Sequence, residues 1–210
     1  PMIRDVTRMD YLPEAVENAQ ASGWLMGFNE PDMPEPYGHL TTPAAGAEAW
    51  RTIEEAATGI KLLSPTPSQE DFDWLWQMVA EYETLYGEKP RFNAIGVHWY
   101  NWQPPGSAQP AKDQLLQVRQ EALAHGYDVP LWLTEFAGHI GIADPAGGHL
   151  QLVEELIPWI EQQPWIDRYA WFATWVKAVE PWCTGCQYCS LTDPETGQQL
   201  TPLGELYGDI

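Results

Sequence analysis

The sequence predicts an α/β fold, a (β/α)8 TIM barrel represented by six βα units, with the first two of the eight missing. Three observations carry this expectation. Short apolar runs alternate with amphipathic stretches every roughly 25 to 40 residues, the rhythm of parallel strands joined by helices. Polar residues gather where those runs end, at Asn29, Glu30, Ser64, His98, Tyr100 and Glu135, the face on which such barrels place their chemistry. No low-complexity linker or charge block interrupts residues 1–210, so they read as a single, N-terminally truncated domain.

The strands are expected at 2–6, 24–28, 60–64, 94–100, 131–134 and 168–172, each a short apolar run bounded by turn residues. A helix over 12–20 puts Leu12, Ala15, Val16 and Ala19 on one face. Thr42-Pro43 supplies an N-cap and a first-turn proline for a helix that Gly59 stops. Ser68, with Asp71 three residues on, starts a helix whose Trp74, Leu75, Met78, Val79 and Tyr82 face inward and which runs to Gly87. Helices over 111–125 and 150–163 follow, the first ended by Gly126 and the second kinked by Pro158. Thr201-Pro202 opens a short last helix.

Composition narrows the classes of function. With 30 acidic and 10 basic residues the net charge is −20, which disfavours partners that need a basic patch, nucleic acids and anionic membranes among them. No run approaches a membrane span. A soluble chain acting on a neutral polymer fits, and so do its 12 Trp residues, since indole faces match the C–H faces of sugar rings. Cys183, Cys186 and Cys189 form a tight run with no His nearby, which points to a local disulfide in a secreted protein rather than to zinc. No metalloprotease, P-loop, nucleophile-elbow or dinucleotide motif occurs, so neither a cofactor nor a metal is expected.

Two stretches carry the chemistry. Gly27-Phe28-Asn29-Glu30-Pro31-Asp32 follows one apolar run, and Pro31 ends that strand just beyond an amide and a carboxyl. Pro130-Leu131-Trp132-Leu133-Thr134-Glu135-Phe136-Ala137-Gly138 repeats the design with a terminal Glu. Two strand-end carboxyls are what glycosidic bond cleavage requires, one as proton donor and the other as nucleophile or base. The bland alternative is that each Glu caps a helix or is simply solvated. Strand parity puts Gly96, His98 and Tyr100 on one inward face, where His98 and Tyr100 can bond a carboxylate or sugar hydroxyls. The same parity turns Glu135 inward with Leu131 and Leu133 and sends Trp132 against the helices. Asn29 and Glu30 are neighbours, so both reach the site only if the strand bends or bulges at its end. Trp171 is the first choice for a sugar platform, with Trp102, Trp175 and Trp182 in the loops beyond.

Together, Gly27 to Asp32, Val97-His98-Trp99-Tyr100-Asn101, Trp132 to Phe136, Tyr169-Ala170-Trp171-Phe172 and Leu200-Thr201-Pro202-Leu203-Gly204 resemble glycoside hydrolase family 128. These are retaining endo-β-1,3-glucanases with an acid/base on strand four and a nucleophile on strand seven. The resemblance implies Glu30 as acid/base, Asn29 as a ligand of the sugar 2-hydroxyl, Glu135 as nucleophile, Tyr100 as its orienting donor, and Trp171 lining the reacting subsite. It implies a β-glucan substrate, an extracellular location, and a monomer if the barrel is complete. Two alternatives stand beside it. One is a related barrel glycosidase acting on another β-linked polysaccharide; the other is a non-catalytic glucan-binding cell-wall protein.

Overall fold

Strands and helices alternate through residues 1–69, 71–101, 107–138, 147–177 and 186–210, which the computed structural model describes. In order they are α1 (Leu12–Ser22), β1 (Trp24–Met26), α2 (Pro43–Ala56), β2 (Lys61–Leu63), α3 (Asp73–Tyr86), β3 (Ile95–Tyr100), α4 (Gln109–Ala124), β4 (Leu131–Ala137), α5 (Gly147–Ile160), β5 (Ile166–Trp171) and α6 (Pro202–Asp209). Strands β1 and β2 pair in parallel, and a three-stranded sheet runs β3-β4-β5. The chain gathers into two compact units, residues 1–98 with 122–132, and residues 99–121 with 133–210. The division therefore falls within β3, within β4 and within α4.

In the first unit the parallel order extends past β1 and β2 through single bridges, Met2 to Met26 on one side and Leu63 to Ala94 on the other. Residues 2–6 do not form the expected strand. Asp5 accepts from the Thr7 backbone N–H and caps a 3-10 helix over Val6–Tyr11, so only Met2 forms a bridge, with Arg4 O accepting from Asn29 N–H beyond it. Thr42 caps α2 through the Ala45 N–H with Pro43 in the first turn, as its sequence requires. Helix α3 buries Trp74, Leu75, Met78, Val79 and Tyr82, but it begins at Asp73, five residues later than Ser68. The Ser68 N–H and hydroxyl both donate to Asp32, so the residue that would cap a helix ties down a loop instead. Gly46 on α2 lets the two helices close, since a Cβ there would meet the Trp74 ring at 2.7 Å.

In the second unit Phe136 anchors the core between Tyr169 and Trp171, its ring edge-on to both. Thr201 caps α6 by accepting from the Gly204 N–H. Gly204 itself has no room for a side chain, with the Leu191 backbone against it. Strand β5 begins at Ile166, two residues ahead of expectation, and β4 runs three residues past Thr134 to Ala137.

The register of β4 on β3 changes along its length. Ile95 N–H donates to Pro130 O at 3.0 Å, and Asn101 N–H to Ala137 O at 3.1 Å. Those bonds are six residues apart on β3 (101 − 95) and seven on β4 (137 − 130). The pair is thus parallel, with one extra residue in β4, a β-bulge. Trp132 accordingly does not lie on the helices. It packs with Leu63, Ala94, Trp24 and Met26, all from strands or strand entries, its ring 4.3 Å from that of Trp24. Ala94 has the parity of Gly96, His98 and Tyr100, so Trp132 shares their face. Simple alternation would then turn Glu135 away, and the extra residue is what turns it back.

Candidate active site

Glu30 stands just beyond β1, and the chain turns at that residue. It is the one non-glycine residue with a positive φ among the described residues, at 42°. A side chain with a Cβ is held there only when its surroundings enforce it. Here they do. Glu30 N–H donates to Thr66 O at 2.8 Å, its carbonyl accepts from Met33 N–H at 2.9 Å, and Asn29 N–H is bound to Arg4 O at 2.8 Å. Gly38 presses on the same peptide: a Cβ on it would overlap the Glu30 carbonyl oxygen and come within 2.7 Å of its carbon. The chain thus bends at this residue, beyond the end of β1. The Asn29 amide donates to Tyr37 O at 3.2 Å, so it is anchored by the loop that follows.

The Glu30 carboxyl meets His98, with Nδ1 and Oε1 2.9 Å apart. The imidazole is 1% exposed and the carboxyl 13%. Such an arrangement works in either protonation state. Nδ1–H can donate to an ionised Glu30, or Nδ1 can accept from a protonated one. Carboxylate and imidazole are also metal ligand types. His98 comes from the middle of a strand buried on both faces, and Gly96 two residues earlier makes space for Thr66, whose side chain occupies the volume a Cβ would need.

In the second unit Tyr100 hydroxyl donates to Glu135 Oε2. The Tyr100 ring is fixed edge-on to Phe172, centroids 5.8 Å apart at 87°. A phenol donating to a carboxylate stabilises its ionised form and fixes its direction. Behind this strand end, a Cβ on Gly138 would lie 2.7 Å from His149 Nδ1, so the exit of β4 is packed directly on a buried imidazole.

The aromatic residues differ in exposure. Trp171 is 7% exposed, with its ring edge-on to Phe136 and His149 and its indole N–H donating to Cys189 O at 2.6 Å. These contacts pack it within its own unit. Trp175 is 44% exposed, with Lys177 Nζ 5.8 Å from its ring centroid. Trp102, Trp182 and Cys183 lie outside the described residues. Cys189 is buried, and that burial pushes its thiol up to about 12. Sequence reasoning missed Gly38, Thr66 and Arg4, which shape the Glu30 turn from 8 to 36 residues away; only Gly38 left a trace, as a glycine in a polar loop.

Parallel βα units that carry hydrogen-bonded carboxyls near their strand ends suit a barrel-type glycosidase. The family model described as Glycosyl hydrolase catalytic core matches residues 1–207, and the chain belongs to that family; it is a glycoside hydrolase. Its fold is shared with solved enzymes of glycoside hydrolase family 128. A curdlan-specific exo-β-1,3-glucanase of subgroup III from Blastomyces gilchristii, in complex with glucose, superposes with a TM-score of 0.78 at 22% identity, covering 100% of this chain and 81% of that one. A subgroup II endo-β-1,3-glucanase from Pseudomonas viridiflava gives 0.71 at 24%, with 99% and 77% covered. A subgroup I endo-β-1,3-glucanase variant from Amycolatopsis mediterranei, bound to laminaripentaose, gives 0.71 at 23%, with 99% and 80% covered. At these identities the likeness is one of fold, the TIM-like barrel type of glycosidase. No curated protein sequence matches the chain significantly. Among the described residues no helix is long and apolar enough to cross a membrane.

Proposed function

We propose that this chain is a family 128 retaining endo-β-1,3-glucanase, built on a (β/α)8 barrel, that hydrolyses β-1,3-glucan as a secreted monomer. The observation that carries the reading is the pairing of each strand-end carboxyl with its own donor from β3: His98 for Glu30 and Tyr100 for Glu135. The laminari-oligosaccharide and glucose complexes of the enzymes sharing this fold support the choice of polymer.

Glu135, ionised and aimed by Tyr100, attacks the anomeric carbon and forms a glycosyl ester. Glu30 begins protonated and gives its proton to the leaving oxygen, while His98 holds the carboxyl in place. Glu30 then takes a proton from water, which attacks the same carbon and releases the sugar with its configuration kept. Asn29 lies beside the acid as the ligand of the 2-hydroxyl, and Trp175, with Trp102, supplies an aromatic face for further sugar units. Trp171 supports the site from within the core.

Proton NMR during laminarin hydrolysis tests this reading, with the β-anomer expected as the first product. An α-anomer would mean inversion and remove the nucleophile role from Glu135. Turnover of mannan, xylan or mixed-linkage glucan in preference to laminarin would move the enzyme to another polymer. Binding of laminarin without turnover would make it a glucan-binding protein. Two enzymes that share the fold are exo-acting, so the product ladder at early times decides the mode: mixed oligosaccharides for endo attack, one short product for exo attack.

A further inference from the structure

A residue with a Cβ stays at a φ of 42°, as Glu30 does, only while the chain on both sides of it is held. The side before Glu30 is zipped to the stretch that follows β2: Thr66 N–H donates to Phe28 O and Glu30 N–H to Thr66 O, each at 2.8 Å. The side after it carries a side chain that reaches back to the same stretch. Asp32 accepts from Ser68 N–H at 2.7 Å and from the Ser68 hydroxyl. That stretch is a stiff anchor. Pro65 and Pro67 fix their own φ and favour extended backbone at the residues before them, and Thr66 and Ser68 are buried. Gly96 on β3 lets the anchor in: its N–H donates to Ser64 Oγ at 3.1 Å, and the Thr66 side chain fills the volume a Cβ would take. The same strand, two residues on, supplies the His98 ring to the Glu30 carboxyl. A carboxyl that accepts two bonds from one buried residue leaves the turn between them few other positions.

We propose that Asp32 is a positioning residue for the acid: clamped to Ser68, it keeps the turn at Glu30 closed and the carboxyl on His98. This rests on the reading of Glu30 as the acid/base of a β-1,3-glucanase. Without the clamp, residues 31–33 are released from the anchor and Glu30 relaxes toward negative φ, which carries its carboxyl off the His98 Nδ1. The proton then meets a departing sugar oxygen less often, while a leaving group that departs without a proton is unaffected.

The test compares laminarihexaose, whose leaving sugar needs the proton, with a 2,4-dinitrophenyl β-laminaribioside, whose phenolate leaves without one. D32A should lose about tenfold more kcat/KM on the hexaose than on the aryl glycoside, through kcat rather than KM. D32N, which keeps an oxygen to accept from Ser68 N–H, should recover most of that loss. S68A removes only the hydroxyl and should show the same split at smaller size. Thermal melts establish which variants are folded, and a reduced folded fraction would lower both substrates equally and leave their ratio untouched. Equal losses on the two substrates in D32A, or in S68A should D32A not fold, would mean that the clamp only supports the loop. No loss on the hexaose would mean that the turn holds without it. Either result overturns the inference. A wild-type enzyme inert on laminarihexaose and the aryl glycoside alike contradicts the proposed function itself, and the positioning role falls with it.

Discussion

Glu30 and Glu135 reach comparable positions by opposite means. Strand β1 is three residues long, and the distortion that presents Glu30 sits in its own backbone, at a φ of 42°. That strain is enforced from outside by Thr66, Met33 and the close approach of Gly38. Glu135 stands inside a seven-residue strand; there the correction to its aim is an extra residue in the ladder. Glu30, the proposed acid, is thus held by its loop, and Glu135, the proposed nucleophile, by its strand. A group that must give a proton and later take one back benefits from a supporting shell that can be tuned. A group that must lie in line with one carbon benefits from the stiffness of a sheet.

The largest effect expected from breaking this arrangement is at the nucleophile. Glu135→Ala should lower turnover on the order of 10⁵-fold on every substrate, glucan or aryl glycoside, because no covalent intermediate can form. Glu30→Ala should separate the substrates. Laminarin hydrolysis falls by about 10³-fold, while the first step on an activated aryl glycoside, seen as a burst of phenolate, survives. Equal losses for the two variants on the aryl substrate would erase the distinction between the carboxyls.

Gly38→Ala tests the loop while leaving the Glu30 carboxyl itself in place. Its Cβ would meet backbone, which cannot swing aside, so the Glu30 turn must shift. We expect a loss of about 1–3 kcal/mol in stability by denaturant melts, with a larger proportional loss on laminarin than on the activated glycoside. A variant with unaltered melt and activity would show that the turn at Glu30 is not held from Gly38. Tyr100→Phe tests the strand side. Losing one donor to a charged group should cost about 10- to 100-fold in kcat, with KM changed little. The smallest effect concerns the packing beneath Trp171. Cys189, with its thiol pushed up to about 12 by burial, stays neutral and buried at pH 8. Peptide mapping after iodoacetamide treatment should find Cys189 alkylated only once the protein is unfolded; labelling of the native chain would contradict the burial.

Periodicity and capping chemistry made most of the fold legible. Thr42-Pro43 and Thr201-Pro202 start helices where expected, and Gly23, Gly59, Gly87 and Gly126 all adopt the left-handed conformation that ends or follows one. These are local signals, readable from neighbouring residues. Failures came where a distant residue intervened. Ser68 is drawn from its capping role by Asp32, 36 positions away. The bulge in β4 has no sequence mark, and it reversed the face assigned to Trp132 while leaving Glu135 inward. His98 and Tyr100 were visible from strand parity alone, but which carboxyl each would take depended on the turn at Glu30.

The central claim is that Glu30 and Glu135 divide acid/base and nucleophile between them in a double displacement. It is tested most directly with Glu30→Ala, a 2,4-dinitrophenyl β-laminaribioside and sodium azide, with the product identified by NMR. The glycosyl-enzyme on Glu135 forms, stalls without its base, and is attacked by azide on the face opposite the ester, the one the aglycone left. The account predicts a β-glycosyl azide and a turnover rate that rises with azide concentration. An α-glycosyl azide from this variant would mean that Glu30 is the nucleophile and that the two roles are reversed.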